Sequence, residues 1–311
     1  MPILVSGSVA LDHIMVFPDR FVNHILPEKV HALNVSFNIT SLKTHFGGVA
    51  ANIAYQLRWL GADPIILAAV GSDFGPYADW LDRQSIRRDH IRICDDVRTP
   101  QGFVTTDLDD CQIWAFYEGA MARAHVARVE DVKDELELAI VSSNSRRAMV
   151  EHARALKARG VPTWIDPSHG LPVLARDELV EMIEGAAGYF VNDYEWSLTQ
   201  QHTGLSETEI ERRCGAVVIT RGPDGSEVRS AGGRIEIPPV PAREVVDPTG
   251  CGDAYRSAFL YGVSRGHPFE VSGRMGSVLG SCQVEVRGTQ VLEIGLEDLR
   301  TRYARAFGRA F

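Results

Sequence analysis

Glycines and an aspartate crowd the start of a predicted helix in the segment VVDPTGCGDAYRSAFLYG, residues 245–262. Apolar residues recur at helical spacing after Asp253, so Gly250, Cys251 and Gly252 lie at a helix N-terminus. The first N–H groups of a helix lack internal partners and carry partial positive charge, and glycines let a bulky anion approach them. A carboxylate for a hydroxyl group, beside N–H groups for a phosphoryl group, is what phosphoryl transfer needs. Ordinary helix capping is the alternative explanation.

Two more patterns of polar residues and glycines follow predicted strands in the second half of the chain. The segment VNDYEW supplies Asn192 and Glu195, and the segment VITRGPDG supplies Thr220, Gly222 and Gly225. Considered alone, Asn192 would simply cap the helix after its strand, and the second segment would be an ordinary turn between two strands.

A second glycine cluster lies in HFGGVAANIAYQLRWLGADPIILAAVGSDFG, residues 45–75, where Gly47 and Gly48 precede Asn52 at the start of a predicted helix. Together with the segment around Asp253, it resembles the two signatures of the ribokinase-like (PfkB) carbohydrate and nucleoside kinases. The first is the family's Gly-Gly-x-x-x-Asn-x-Ala, and the second is its Asp-Thr-x-Gly-Ala-Gly-Asp, which here reads DPTGCGD. The likeness covers nearly the whole chain, including the order of its elements.

The resemblance implies a fold and a reaction. The fold would be a ribokinase-like three-layer α/β sandwich, with a mostly parallel central sheet flanked by helices and a small antiparallel β lid. The reaction would move the γ-phosphoryl group of ATP to a hydroxyl group. Asp253 would be the general base, and the backbone N–H groups of Gly250, Cys251 and Gly252 would form the anion hole. The Cys251 thiol would not take part, although a helix N-terminus can depress a thiol pKa.

The resemblance also implies a sugar pocket. Asp12, which follows the first predicted strand, would accept hydrogen bonds from two sugar hydroxyls, since a carboxylate can bind a vicinal diol with both oxygens. Gly47, Gly48 and Asn52 would complete this pocket. Considered alone, Asp12 would be a solvated loop carboxylate.

The remaining implied roles concern the cofactors. Asn192 and Glu195 would organise Mg²⁺ through water and phosphate oxygens, because magnesium prefers oxygen ligands and keeps several waters. A monovalent cation such as K⁺ would take backbone carbonyls from residues 245–247 and 285–288. The nucleotide loop would include Thr220, Gly222 and Gly225.

The elements that must position these residues alternate along the chain. Amphipathic segments such as 49–61 and 146–160 predict helices. Between them, β-branched runs predict buried strands at 3–9, 64–71, 138–144, 161–167, 188–193 and 216–222. Because these runs are continuously apolar, both faces of each strand must be covered, as in a mostly parallel sheet. Asn144 and Asp166 end two of these strands, where sites in α/β proteins usually lie.

Two regions break this rhythm. Residues 12–42, with HIMVFPDRF and KVHALNVSFNITSL, and residues 100–118, with PQGFVTTDLDDCQIWAFYE, alternate apolar with polar side chains. This alternation predicts four strands of a small antiparallel sheet, with DLDD as the hairpin turn of the second pair. We expect one domain over residues 1–311 that carries this sheet as a lid.

Composition limits the functions of the chain. Its 311 residues and formal charge of −9 suit a single globular α/β protein and argue against nucleic acid as a partner. The five cysteines form no C-x-x-C pair, which indicates free thiols in a reducing compartment. Neither a signal peptide nor a membrane-spanning run is evident, so the sequence predicts a cytoplasmic protein without a membrane partner.

The lid suggests the acceptor. No cluster of basic residues lies near the substrate segments, as a sugar phosphate would require, and the lid strands are rich in large apolar side chains that could stack on a nucleobase. These are Met15, Phe17, Phe37, Trp114, Phe116 and Tyr117. The segments SFNITSLKTHFGG and QIWAFYEGAM also resemble the adenosine-kinase-like branch, although Glu118 stands where that branch often has proline. The same rings would alternatively pack the small sheet or form a homodimer interface.

The sequence therefore predicts an ATP-dependent nucleoside kinase that phosphorylates the ribose 5′-hydroxyl of a nucleoside such as adenosine, with Phe116 in the substrate site. Two alternatives stay open at this point. One is a sugar kinase that acts on free ribose or a hexose. The other is a catalytically silent sensor that binds a nucleoside on the same fold.

Overall fold

The computed structural model describes residues 1–26, 31–32, 34–109 and 111–311. Its strands are β1 (Ile3–Ser6), β2 (Ala10–Val16), β3 (Ser41–Gly47), β4 (Pro64–Gly71), β5 (Ile91–Cys94), β6 (Gln101–Thr106), β7 (Gln112–Tyr117), β8 (Leu138–Ser142), β9 (Thr163–Asp166), β10 (Gly188–Asn192), β11 (Ala216–Thr220), β12 (Ser226–Ser230) and β13 (Gly233–Ile237). Its α-helices are α1 (Val49–Trp59), α2 (Gly75–Arg83), α3 (Arg146–Ala158), α4 (Arg176–Ile183), α5 (Asp193–Thr203), α6 (Glu207–Glu211), α7 (Cys251–Ser264), α8 (Phe269–Val284) and α9 (Leu296–Phe307). None of the helices in these ranges is long and apolar enough to cross a membrane.

The main sheet, as far as the described residues show it, has nine strands in the order β13-β12-β11-β10-β9-β8-β1-β4-β5. Every pairing from β11 to β5 is parallel, whereas β12 and β13 extend the sheet as antiparallel strands. The predicted α/β fold with a mostly parallel sheet is thus confirmed. Each predicted buried strand is present, with its ends within a few residues of those expected.

Neighbouring residues of a buried strand face opposite layers of helices. In β1, Ile3 and Val5 belong to a core cluster that includes Phe259 of α7, whereas Leu4 belongs to a second cluster with Met149 of α3. A strand covered on both faces needs apolar side chains at every position. The continuous apolar runs in the sequence reflect this three-layer arrangement.

A second, smaller sheet has the order β3-β2-β6-β7 within the described residues. Its outer pairings, β2 with β3 and β6 with β7, are antiparallel as predicted, and the central pairing of β2 with β6 is parallel. The two hairpins come from separate segments of the chain, so no short turn dictates the direction of the central pair. The predicted second sheet is thus present, and we keep the name lid for it.

One strand of the lid lies later in the chain than predicted. The run KVHALNVSFNITSL does not form a strand over its described residues before position 41; β3 begins at Ser41 and continues to Gly47. Phe37 instead packs its ring against Phe17 and Phe21, 4.9 and 5.0 Å between centroids, so its alternation reflects a small aromatic core. Residues 27–30 and 33 of this segment, and residue 110 of the predicted DLDD turn, lie outside the described residues.

Chain connections place the lid and two helix starts at one edge of the main sheet. β2 follows β1 directly, and β3 leads through Gly47 and Gly48 into α1, which packs against α7. The carboxyl ends of β9 and β10, at Asp166 and Asn192, lie at the same edge because these strands are parallel. Ligand sites of open α/β sheets form at this edge.

Candidate active site

The two glycine-rich segments meet in space. Asn52 of α1 donates a hydrogen bond from Nδ2 to Oδ2 of Asp253 on α7 at 2.9 Å, across 201 residues of sequence. The residues that the sequence assigned to one site are therefore in direct contact. This contact fixes the start of α1 against the start of α7.

Asp253 lies in the first turn of α7, deep in the cleft but still partly accessible to solvent. Burial raises the pKa of its carboxyl group to about 6, and the nearby charge of Asp166 adds to this rise. The charge of Arg256 and the hydrogen bond from Asn52 act in the opposite direction. A carboxyl group with this pKa is ionised at neutral pH and basic enough to accept a proton.

The loop before Asp253 has the backbone shape that the sequence suggested. Gly250 caps α7 with φ 78°, a left-handed conformation in which a side chain would be strained, and a Cβ there would come within 2.8 Å of Thr289 Cγ2. Cys251 donates its N–H to the carbonyl of Pro248 at 3.2 Å, so this predicted donor already has an acceptor. Gly252 lies in the first turn of the helix, where an N–H lacks an intrahelical partner.

The thiol of Cys251 behaves differently from the expectation that a helix N-terminus lowers its pKa. Burial raises the pKa of this thiol, and the negative charge of Asp253 raises it further. The helix N-terminus does not compensate for the desolvation. Cys251 is thus a poor nucleophile, in agreement with the view that its thiol plays no part.

Gln290 fixes the orientation of Asn52 and was missed by the sequence analysis. Its Nε2 donates to Asn52 Oδ1 at 3.1 Å and to the Tyr77 hydroxyl at 2.6 Å, and its Oε1 accepts from Trp80 Nε1 at 2.9 Å. Because Oδ1 of Asn52 is the acceptor for Gln290, Nδ2 is the atom left to face Asp253. The Tyr77 hydroxyl donates to the carbonyl of Gly47 at 2.7 Å and joins the second glycine segment to the same network. No local pattern in the sequence around Gln290 signals this role.

Asp12 lies on β2 between two glycines of the lid. A Cβ on Gly47 would come within 2.1 Å of Asp12 Oδ2, and a Cβ on Gly102 would come within 3.0 Å of Oδ1. Burial raises the pKa of Asp12 to about 6, and the negative charge of Asp253 raises it as well. The charges of the Asp12 and Asp253 carboxyl groups therefore interact across one cleft. Gly48, with φ 90°, turns the chain from β3 into α1 where a Cβ would meet backbone atoms of 8–10.

Large aromatic rings flank the Asp12 carboxylate. Gly102 pairs with Phe116 across β6 and β7, and a Cβ on Gly102 would come within 3.9 Å of the Phe116 ring and 3.5 Å of the Trp114 ring. Phe116 and Trp114 are 54% and 57% exposed, which is unusual for such large apolar side chains. Gly102 was overlooked in the sequence, although a glycine within a strand often marks a close approach.

Asn192 and Glu195 satisfy each other's backbone at the start of α5. Asn192 Oδ1 accepts from the N–H of Glu195 at 2.7 Å, and Glu195 Oε2 accepts from the N–H of Asn192 at 2.9 Å. Burial, followed by the charge of Asp166, raises the pKa of Glu195. In the part of the chain that the structure describes, no three His, Cys, Asp or Glu residues gather as a metal cluster. These donors fit a metal ion that is held mainly by water and phosphate.

The segment from Thr220 to Gly225 is a turn between the antiparallel strands β11 and β12. Gly222 and Gly225 have φ of 54° and 87°, and a Cβ on Gly225 would come within 2.3 Å of a backbone carbonyl. Arg221 within this loop is ion-paired with Glu227 and Glu236. These ion pairs and the close approach at Gly225 hold the loop at the carboxyl edge of β11.

A buried ion pair lies between these groups, and its arginine was not noticed in the sequence. Arg256 of α7 donates from Nη2 to Oδ1 of Asp166 at 2.6 Å, and the Ser142 hydroxyl donates to Oδ2 of Asp166 at 3.0 Å. The residues around Arg256 are apolar and helical, so an arginine on that buried face was the available signal.

The predicted cation segments also come together: Asp247 Oδ2 accepts from the N–H of Gly288 at 3.1 Å.

Comparison with known proteins gives consistent results. The model of the "pfkB family carbohydrate kinase" matches residues 7–294. The chain is 32% identical over 299 residues to a nucleoside kinase of Methanothermobacter thermautotrophicus, covering 93% of this chain and 91% of that protein. The structure of Burkholderia thailandensis nucleoside kinase in complex with inosine has a TM-score of 0.90 and 39% identity, covering 99% of both chains. The complex of that kinase with ADP-inosine has a TM-score of 0.88 and 41% identity, covering 99% of this chain and 97% of the other.

The raised pKa of Asp253 predicts that this residue reduces stability at neutral pH. Its pKa rises from 3.8 to about 6 on folding, so the folded state is favoured below the lower value and loses stability as pH rises through the higher one. We expect Asp253→Asn to raise the free energy of unfolding at pH 7.5 by about 1–2 kcal/mol, discounted for partial solvent access. Urea unfolding at pH 7.5 and pH 4 measures this difference, which should nearly vanish at pH 4.

Asp79→Asn provides the matched control, because Asp79 is exposed on α2. Its stability should follow that of the wild type at both pH values. Equal stability of the wild type and Asp253→Asn at pH 7.5 would contradict the prediction that the buried Asp253 carboxylate reduces stability.

Proposed function

We propose a nucleoside kinase activity for this chain, which belongs to the pfkB family of carbohydrate kinases and is a phosphotransferase with an alcohol group as acceptor. The enzyme would transfer the γ-phosphoryl group of ATP to the 5′-hydroxyl of a nucleoside such as adenosine or inosine. The observation that carries this proposal is the pair of carboxyl groups, Asp12 and Asp253, that face one cleft beneath exposed aromatic rings.

The surroundings of Asp12 are evidence that the acceptor is a ribose. Both of its oxygens lie in space that Gly47 and Gly102 leave free, so each can accept a hydrogen bond from one hydroxyl of a vicinal diol. Ribose bound by its 2′- and 3′-hydroxyls at Asp12 would direct its 5′-hydroxyl toward Asp253. Hydroxyl donors would also relieve the mutual repulsion of the two carboxylates.

The exposed aromatic rings are evidence that the ribose of the acceptor carries a nucleobase. Phe116 and Trp114 lie beside Gly102, which itself pairs with Asp12 across the sheet, so a base attached to the ribose would meet an apolar surface. Stacking of a base on an aromatic ring contributes about 1–3 kcal/mol. The inosine complex of the Burkholderia thailandensis relative is consistent with this class of substrate.

The reaction needs a base and an anion site, and the start of α7 offers both. Asp253 would accept the proton of the 5′-hydroxyl as its oxygen attacks the γ-phosphorus. The N–H groups at the start of the helix, chiefly Gly252, would stabilise the charge on the transferring group. Asn52 holds the Asp253 carboxylate in place while the lid excludes water.

The turn from Thr220 to Gly225 would bind the nucleotide of the phosphate donor. Asn192 and Glu195 would hold Mg²⁺ through water, and the ion would neutralise the charge of the polyphosphate. A monovalent cation such as K⁺ would bind carbonyls of 245–247 and 285–288, which Asp247 already ties together. The dependence of the rate on KCl tests this cation.

The outer face of the lid would form a homodimer interface. Leu42 and Ile113 are 61% and 43% exposed, and β7 ends the small sheet with every one of its residues exposed. Exposed large apolar side chains on one face of a sheet form a surface that can pack against a second copy. Sedimentation velocity should show a dimer that Ile113→Lys converts to monomers; a monomeric wild type would contradict the interface.

The base assigned to Asp253 can be tested by kinetics. Asp253→Asn should reduce kcat by about 10²–10⁴-fold while nucleoside binding survives, because only proton transfer is lost. In the wild type, kcat/KM should fall below an apparent pKa near 6, where the carboxyl group becomes protonated. ADP formation over pH 5–9 and calorimetric titration of nucleoside measure both, and near-normal turnover by Asp253→Asn would refute the assignment.

The choice of acceptor can be tested with a substrate panel. With ATP and Mg²⁺, adenosine, inosine and cytidine should have higher kcat/KM than ribose or a hexose. Phe116→Ala should raise KM for nucleosides by about 5–150-fold, since it removes stacking worth about 1–3 kcal/mol, and leave ribose turnover unchanged. Leu108→Ala, which alters an exposed apolar residue in the turn between β6 and β7, is the control.

Two outcomes of this panel would overturn the proposal. Equal or better turnover of free ribose would identify a sugar kinase. Tight nucleoside binding without ADP formation would identify a silent sensor.

A further inference from the structure

The guanidinium of Arg256 lies directly below the glycine loop at the start of α7. Arg256 is one turn after Gly252 on the same face of the helix, and only 7% of the residue is exposed. A Cβ on Gly252 would come within 2.7 Å of Arg256 Nη1. Gly252 thus has a second role, because any side chain there would occupy the place of the guanidinium.

Nη2 of this guanidinium is engaged, whereas Nη1, the nitrogen nearest Gly252, has no hydrogen-bond partner among the described residues. Nη2 donates to Asp166, which is itself fully buried and held by Ser142. Nε points to the same side as Nη2 and is fully buried without a partner, so the donor that an anion at the glycine loop would meet is Nη1. An unfilled donor in a buried site costs free energy, and a bound anion would fill it.

The surrounding charges indicate where that anion would lie. Asp253 and Glu195 are the other carboxyl groups that interact with Arg256, one on the acceptor side of the cleft and one on the nucleotide side. The guanidinium is therefore close enough to both the proposed base and a proposed Mg²⁺-organising residue for their charges to interact. In the proposed reaction, the phosphoryl group would move from donor to acceptor near these same groups.

We infer that Arg256 is a further catalytic residue, whose Nη1 group binds an oxygen of the transferring phosphoryl group. The inference rests on the proposed phosphoryl transfer but not on the identity of the acceptor. The acceptor oxygen forms a bond to the γ-phosphorus, the bond from that phosphorus to the β–γ bridging oxygen breaks, and ADP leaves with the electron pair. The hydroxyl proton goes to Asp253, and Arg256 keeps its protons and balances the negative charge of the phosphoryl oxygens.

A purely structural role makes a different prediction that a double-mutant cycle can separate. If Arg256 served only to neutralise Asp166, its loss would matter little once that carboxylate is replaced by a neutral amide. If Arg256 binds the phosphoryl group, its loss should slow turnover by the same factor in both backgrounds.

The experiment compares the wild type, Arg256→Met, Asp166→Asn and the double variant by ADP formation at saturating ATP and acceptor. We expect Arg256→Met to lower kcat by about 10²–10³-fold with acceptor KM within about threefold, and to do so equally with Asn at position 166. Arg256→Lys, which keeps the charge but loses the fork, should recover part of the loss. Recovery of turnover in the double variant to the level of Asp166→Asn would overturn the inference.

Separate control experiments address folding and the proposed function. The double variant removes both buried charges, so it remains testable if Arg256→Met fails to fold. Arg265→Met, at the exposed end of the same helix, should leave turnover unchanged. If the wild type phosphorylates sugars instead of nucleosides, the nucleoside proposal fails and the cycle is run with the sugar; a wild type that forms no ADP with any acceptor would overturn both.

Discussion

The hydrogen bond from Asn52 to Asp253 is the contact on which the rest of the site depends. It joins two helix starts that are 201 residues apart and holds a carboxylate in a buried position that raises its pKa to about 6. A buried charge of this kind costs free energy unless a hydrogen-bond partner is held in place beside it. Gln290 supplies that rigidity by fixing the Asn52 amide, and Tyr77 extends the same network to the carbonyl of Gly47.

The lid repeats this physical arrangement on the acceptor side. Asp12 also has a raised pKa, and two glycines leave its oxygens unobstructed. Two carboxylates across one cleft repel each other, and hydroxyl donors relieve that repulsion without adding charge. Below the anion loop, Asp166 and Arg256 compensate each other within the core and leave donors of the guanidinium free. In the proposed reaction, the lid would supply acceptors for hydroxyl groups, and α7 would supply donors for phosphoryl oxygens.

Sequence patterns predicted the elements better than the contacts between them. The parallel sheet, α1, α3 and the helix start at Gly250 followed from apolar periodicity and glycine placement, since these signals are local. Gln290 and Arg256 could not be located in this way, because their roles arise from contacts with residues far away in sequence. The start of β3 was misplaced for a related reason: Phe37 alternates like a strand residue but packs into an aromatic cluster with Phe17. Gly102 showed only as a glycine within a strand, and its meaning came from Asp12 beside it.

We propose that one acceptor is held between Asp12 and Asp253, and a crystal structure with a nucleoside and a non-hydrolysable ATP analogue would test this arrangement. The ribose 2′- and 3′-oxygens should lie within hydrogen-bond distance of the Asp12 carboxylate, and the 5′-oxygen should lie within about 3 Å of Asp253. The γ-phosphoryl group should lie over Gly252. A nucleoside bound with its 5′-oxygen away from Asp253, or with Asp12 facing solvent, would refute this arrangement.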